Sequence, residues 1–404
     1  MLTSPAASLP HATPPASASR ASRRTLKAAA VFWFIIVALG QLFFAIAIFL
    51  TYGAPSFRGD FSRLNRGTPH AYVPGEPFAN AIIAAHIIAA CFIVLSGTLQ
   101  LIPAIQRRAP RLHRWNGRLY ILAAFSLALG GVGAMVGRGT VGTPAQHIAQ
   151  YLNAALIMAF AVMAWRTAVA RDFSSHRRWA LRLYLTVGSA LFLRAATFLM
   201  LLIPGGPYGI DVATFTGPFV NFISYGQYLI PLAVLELYLR AQHGTTTLRF
   251  ATASLLFVLA AGLGAGTAAT AAAVWAPRVR AALDPRISIA DTLAATIASS
   301  GTDVALQQYR TLKATAAQTY NFDEPELNTL GYQLLNKHRF AEAIRVLQLN
   351  TEVFPNSANV YDSLGEAYAD AGDKPDAIAF YRKSLTLNPK NLGAIKMLQT
   401  LNPR

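Results

Sequence analysis

Long apolar blocks, separated by short stretches rich in arginine, fill the first two thirds of the chain. The blocks lie near 28–51, 78–102, 119–137, 148–168, 179–203, 218–239 and 250–275. A hydrocarbon layer of about 30 Å takes roughly 20 helical residues, because every backbone donor inside it must find its acceptor within the segment. The pattern therefore predicts seven membrane-spanning helices, of which the third is short and glycine-rich. After Trp275 the charge becomes balanced and the pattern reads as amphipathic helix. A linker is expected over 276–287, two short amphipathic helices over 288–319 with a break at Ser299, Ser300 and Gly301, and helical structure from there to the end. Residues 1–25, rich in Ala, Ser and Pro without an apolar period, read as a disordered arm. Ser22, Arg23, Arg24, Thr25 and Leu26 have the outline of a twin-arginine export signal. The apolar run that follows is too long for one, and basic residues beside a first span are expected in any case. The fold class is all-α: a polytopic transmembrane bundle followed by a solenoid of helical hairpins.

Composition sharpens this picture. Of 404 residues, 54% are hydrophobic and 13% charged, about half the charge of an average soluble domain, which excludes a disordered or ordinary soluble chain. Lys and Arg number 35 against 18 Asp and Glu, and the imbalance is local: residues 1–275 hold 21 basic and 5 acidic residues, residues 276–404 hold 14 and 13. A nucleic-acid binder would carry its excess on a soluble face, so no nucleic-acid partner is expected. Basic residues are instead retained on the cytoplasmic side of spans. Sixteen fall in the N-terminal arm and the alternate loops on its side, whereas Arg58, Arg63, Arg66 and Arg138 make four on the other. That asymmetry points to a bacterial inner-membrane protein with a cytoplasmic N-terminus, and seven crossings leave residues 276–404 in the periplasm. A single cysteine, Cys91, excludes an internal disulfide framework and any cysteine-rich zinc site.

The tail repeats itself. Gly331 and Gly365 are 34 residues apart, and Leu330 with Leu364, Ala343 with Ala377 and Pro355 with Pro389 keep that register. The spacing resembles the tetratricopeptide repeat (TPR), a helix-turn-helix of 34 residues. Tyr361, Leu364, Gly365, Tyr368, Ala377, Tyr381 and Pro389 fit the second copy; the first has Leu334, Leu347 and Asn350 where an aromatic residue or alanine is commoner. The resemblance covers about 325–391. Two copies cannot bury a continuous core, since about three are needed, so the helices of 288–319 are expected to complete the stack. The resemblance implies a concave surface that binds a peptide or partner protein.

Two loops of the membrane half also resemble one another. His113, Arg114, Trp115, Asn116, Gly117, Arg118, Leu119 and Tyr120 are echoed by His176, Arg177, Arg178, Trp179, Ala180, Leu181, Arg182, Leu183 and Tyr184. Together with His86, Gly97, Gln100 and Arg194 the set resembles the bacterial membrane family DUF2306 over about 78–205, which supports the topology and brings no reaction with it. Gly97 and Gln100 each fall within about 40° of His86 on a helix, and intramembrane polar residues are functional candidates by default. At 1.5 Å per residue His86 and His147 lie about 24 and 27 Å above the inner ends of their spans. Such a pair, with His113 and His176 as an inner pair, resembles the haem ligation of cytochrome b561-type electron carriers; haem b is accordingly a candidate cofactor. The alternative is that these histidines serve headgroups and helix packing.

Arg194 lies within a span at a cost of ~2.5 to 3.5 kcal/mol and needs a partner. Gln41, Asn221, Tyr225 and an anionic ligand are candidates, with Glu236 further off. Transport or sensing centred on Arg194 is a further reading beside electron transfer. Gly130, Gly131, Gly133, Gly137, Gly262, Gly264 and Gly266 are expected to let helices approach closely. No phosphate loop, nucleophile elbow or paired catalytic carboxylate occurs in the spans, so the function best supported is a lipid-embedded protein whose TPR module binds or scaffolds a partner.

Overall fold

In the computed structural model the described residues are 16–53, 76–138, 142–201, 203, 209–210 and 215–401. The chain forms two units, residues 1–283 and 284–404. Proline marks many of the helix starts, where its missing donor costs nothing. The first unit contains α1 (Ala16–Ile48), continued by a π-turn over Phe49–Gly53, α2 (Pro77–Gln100), the short α3 (Pro103–Arg108), α4 (Pro110–Arg138), α5 (Pro144–Val169), α6 (Phe173–Val187), α7 (Ser189–Leu201), α8 (Pro218–Ala241) and α9 (Thr246–Thr270). A second π-turn, Ala271–Trp275, leads into α10 (Ala276–Leu283). Helices α1, α2, α4, α5, α8 and α9 are long and apolar enough to cross a membrane; α6 and α7, bent by 49°, supply a seventh span when taken as one.

Two boundaries differ from expectation. Residues 1–15 lie outside the described residues, but the chain is already helical from Ala16, so 16–25 are not a disordered arm. Ala, Ser and Arg there include no breaker, and the following turn anchors them: Leu26 and Ala29 bury against Val234, Ala241, Ala253 and Leu256. Likewise 276–283 is helix rather than linker, its one proline sitting in the first turn of α10.

Helix α1 packs on α9 and α2, α2 on α4, α4 on α5, α5 on α6 and α8, and α9 on α7. Alanines such as Ala123, Ala124, Ala154, Ala161 and Ala195 line these contacts, as association in lipid favours, where close packing replaces the hydrophobic drive. The tightest approach is at Gly266, where a Cβ would lie 2.1 Å from the Ala195 carbonyl oxygen of α7. Gly133 and Gly137 meet nothing within 4 Å, so the glycines of α4 are not uniformly contact residues. Outward, Leu122, Leu129 and Val136 on one stripe of α4 are 63%, 60% and 74% exposed, an apolar exterior suited to lipid.

The second unit begins with β1 (Ile287–Ser288) paired in parallel with β2 (Tyr320–Asn321), a two-residue contact that the helical pattern does not reveal. The rest is helical: α11 (Ile289–Ser300), α12 (Thr302–Thr315), α13 (Glu324–Leu335), α14 (Phe340–Val353), α15 (Ala358–Asp370), α16 (Lys374–Leu387) and α17 (Leu392–Leu401). Gly331 receives Leu347 and Gly365 receives Tyr381; a Cβ would come within 2.6 Å and 3.1 Å of those side chains. Leu330, Ala343, Leu364 and Ala377 are buried beside them, and Pro355 and Pro389 follow α14 and α16. First helices pack on first helices, α11 on α13 and α13 on α15, and α12 packs on α14. Ile289, Leu293, Leu306 and Tyr309 share one core with Leu327, Leu330, Leu347 and Leu364. The segment before the repeats thus supplies the third hairpin.

Gly266→Ala should cost about 1 to 3 kcal/mol through overpacking and lower the thermal midpoint of the detergent-solubilised protein, whereas Gly133→Ala, with open space for its methyl group in a helix interior, should leave it level or raise it. Equal midpoints for the two variants would contradict the close approach of α9 and α7.

Candidate functional site

The repeated loops open α4 and α6, and their equivalent side chains do equivalent things. Arg118 lies over the ring of Trp115 at 5.0 Å and Arg182 over Trp179 at 4.6 Å, arrangements in which the guanidinium meets the electron-rich ring face. The two tyrosines converge on α2. At Gly97 a Cβ would fall 2.7 Å from the Tyr120 ring and 3.1 Å from that of Tyr184, so only glycine admits both. Ser96 and Asn116 exchange two hydrogen bonds, of 2.9 and 3.0 Å. Thr98 and Tyr184 share one of 3.4 Å, and the Gln100 amide donates to the His113 carbonyl at 3.0 Å. The duplicated motif therefore builds one polar joint around the C-terminal end of α2. Asn116 stood in the motif, but nothing in the sequence pairs it with Ser96.

The histidines divide. His86 is seated against α4: Cβ atoms at Gly130 and Gly131 would each lie 3.4 Å from its ring. The Nδ1 edge of the His86 ring thus faces α4. His147 stands in the first turn of α5, beyond the Thr143–Gln146 capping box. At the other end, His113 and His176 are close enough to influence one another electrostatically, and His176 Nδ1 is held by the Ala164 carbonyl at 2.9 Å.

The remaining intramembrane polar groups serve the bent span. The chain turns at Gly188, whose carbonyl accepts from the Gln41 amide at 3.4 Å, while Asn153 donates to the Ser189 hydroxyl at 3.0 Å. Arg194 donates to the Ala190 carbonyl of its own helix at 3.1 Å and lies 4.7 Å over the Phe44 ring, which in turn stacks on Trp275. Glu236 pairs with Arg182 at 2.6 Å. Arg194 is thus engaged by a backbone carbonyl and an aromatic ring.

The C-terminal unit holds its polar groups differently. Asp362, Glu366 and Asp370 recur every four residues and so form one stripe along α15. The Tyr332 hydroxyl of α13 donates to Glu366 at 2.6 Å, and the Asn391 amide donates to Asp362 at 2.9 Å. Burial pushes the carboxyls of Asp362, Glu366 and Asp370 above their ordinary range; the hydrogen bonds to the first two, and His338 beside the third, work in the opposite direction. Tyr381, packed across Gly365, is 2% exposed and its buried hydroxyl has no hydrogen-bond partner. The spacing of the acids is legible in the sequence. Their shared face becomes evident only once α13 and α17 flank α15.

A carboxyl held above its ordinary value favours the fold when protonated and opposes it when ionised, an effect that sets in as pH rises through the folded value. Glu366→Gln keeps an acceptor for Tyr332 and removes the charge, so at neutral pH it should slow amide hydrogen exchange across 358–370. Faster exchange in the variant would contradict the assignment.

With this geometry in place, residues 83–239 match the family model described as "Predicted membrane protein (DUF2306)", and residues 358–391 match that of the tetratricopeptide repeat. None of the curated proteins compared matches the chain. The first copy of the repeat, with its leucines and Asn350 at the atypical positions, lies outside the matched segment. The protein is a multi-pass membrane protein in which a DUF2306 segment is joined to a C-terminal TPR-type repeat.

Proposed function

We propose that this protein is a bacterial inner-membrane anchor that displays its C-terminal unit outside the cytoplasm and there binds a partner protein through the face of its first helices. One observation carries the reading. Three stacked hairpins hold a row of oriented, half-buried polar side chains on α13 and α15, among them Tyr332, Glu366 and Asp362. A spacer has no use for such groups, since burying polar atoms costs free energy unless each is bonded. The membrane unit supports the anchor role, since Ser96, Asn116, Gln100 and Arg182 are engaged in the packing of the bundle. The side of the membrane follows from the sixteen-to-four distribution of basic residues together with seven crossings.

Site-specific photo-crosslinking in cells tests the reading. A crosslinking residue at Asn328 or Tyr332 on α13 should yield a discrete adduct with another protein, and the same residue at Glu352, on the second helix α14, should not. Adducts of equal yield from both helices, or none from α13, would overturn it.

A further inference from the structure

We propose that the first-helix face takes a lysine- or arginine-bearing segment of the partner, with Asp362, Glu366 and Asp370 as the recognising carboxylates and the Tyr381 hydroxyl as a further acceptor. This deepens the partner-binding reading and rests on it. Five other acids of the same unit are matched with arginine, Asp284 and Asp323 with Arg286, Glu352 with Arg310, Glu342 with Arg339, and Asp303 with Arg345, while Glu324 and Glu326 bond the neutral Asn359 and Ser288. Among the described residues, no ion pair engages Asp362, Glu366 or Asp370. The bonds of Glu366 and Asp362 come from neutral groups, Tyr332 and Asn391, which orient a carboxylate without cancelling its charge, and Asp370 has the titratable His338 beside it.

Tyr381 points the same way independently. Its ring lies across Gly365, between Asp362 and Glu366 in the helix, and its hydroxyl feels the charges of all three acids. Yet that hydroxyl is buried and makes no hydrogen bond. An unsatisfied buried hydroxyl costs about 1 to 3 kcal/mol, and a cationic N–H entering among the acids would supply the missing donor. A metal ion suits the stripe poorly. Positions i, i+4 and i+8 are spread over about 12 Å of helix, far more than one coordination shell of 2.3 to 2.6 Å spans, and no metal-holding group occurs among the described residues. The same length suits an extended segment or a long cationic side chain.

The test uses the full chain in an uncharged maltoside detergent and the anisotropy of fluorescein-labelled alanine-based peptides carrying lysines, glutamates or neither. The lysine peptide should bind and should weaken as salt screens the contact. Its affinity should fall about tenfold or more, roughly 1.4 kcal/mol, in the combined variant Asp362→Asn, Glu366→Gln, Asp370→Asn, and a few-fold in Tyr381→Phe. Glu352→Gln, which removes an acid from the second helix α14, should change nothing. Equal binding by the combined variant, stronger binding of the glutamate or neutral peptide, or no binding of the lysine peptide would each overturn the proposal. If the α13 crosslink to a partner persists in any of those cases, the partner-binding reading stands and only the charge assignment is lost; if that crosslink is absent as well, both fail.

Discussion

A helix can bend sharply inside hydrocarbon only if the amides and carbonyls freed at the bend find partners, because no water is there to take them. At Gly188 this chain meets that demand. The amide of Gly188 reaches the Tyr184 carbonyl, its own carbonyl accepts from Leu191 and from Gln41 of α1, and Asn153 of α5 holds the adjacent Ser189. Two other helices thus hold α6 and α7 at this bend. Gln41 also lies within 2.6 Å of where a Gly188 Cβ would be, so the residue that permits the bend also admits the side chain that stabilises it. The number of crossings, and with it the proposed side of the C-terminal unit, depends on this joint.

The two units use polar side chains in opposite ways. In the membrane half a bonded polar group is glue: Ser96 with Asn116, Gln100 with the His113 carbonyl, Arg182 with Glu236, Arg194 with its own helix and Phe44. The duplicated His-Arg-Trp motif belongs to this class, since its arginines stack on its own tryptophans and its tyrosines close on Gly97. In the C-terminal half, glycine and alanine settle the packing, and Asp362 and Glu366 of α15 are oriented by neutral groups.

Much of this is legible in the sequence. Length and hydropathy locate the spans because the bilayer imposes one dimension on each, and a repeat of 34 residues locates the hairpins because equivalent positions must bury equivalent side chains. The break between Ser300 and Thr302 is readable for the same reason: Gly301 takes a φ of 87° that other residues avoid. What escapes is pairing between helices. A glycine pattern cannot say that Gly266 meets a carbonyl while Gly133 meets nothing, and no spacing rule joins Gln41 to Gly188 across 147 positions. Arg194 reads as a residue that needs a partner, but no spacing rule brings the Phe44 ring of α1 to it. The helical start at Ala16 is likewise a tertiary effect, set by the contacts that Leu26 and Ala29 make with α8 and α9.

The most direct test is sidedness. With Cys91 replaced by Ala, a single cysteine introduced as Lys390→Cys in the exposed turn before α17 should react with a membrane-impermeant maleimide in intact spheroplasts. A cysteine placed in the loop between α5 and α6 as Arg171→Cys should react only after the membrane is opened. If instead the tail cysteine stays protected until permeabilisation, α6 and α7 do not make a full crossing, and the proposed display of the C-terminal unit is wrong.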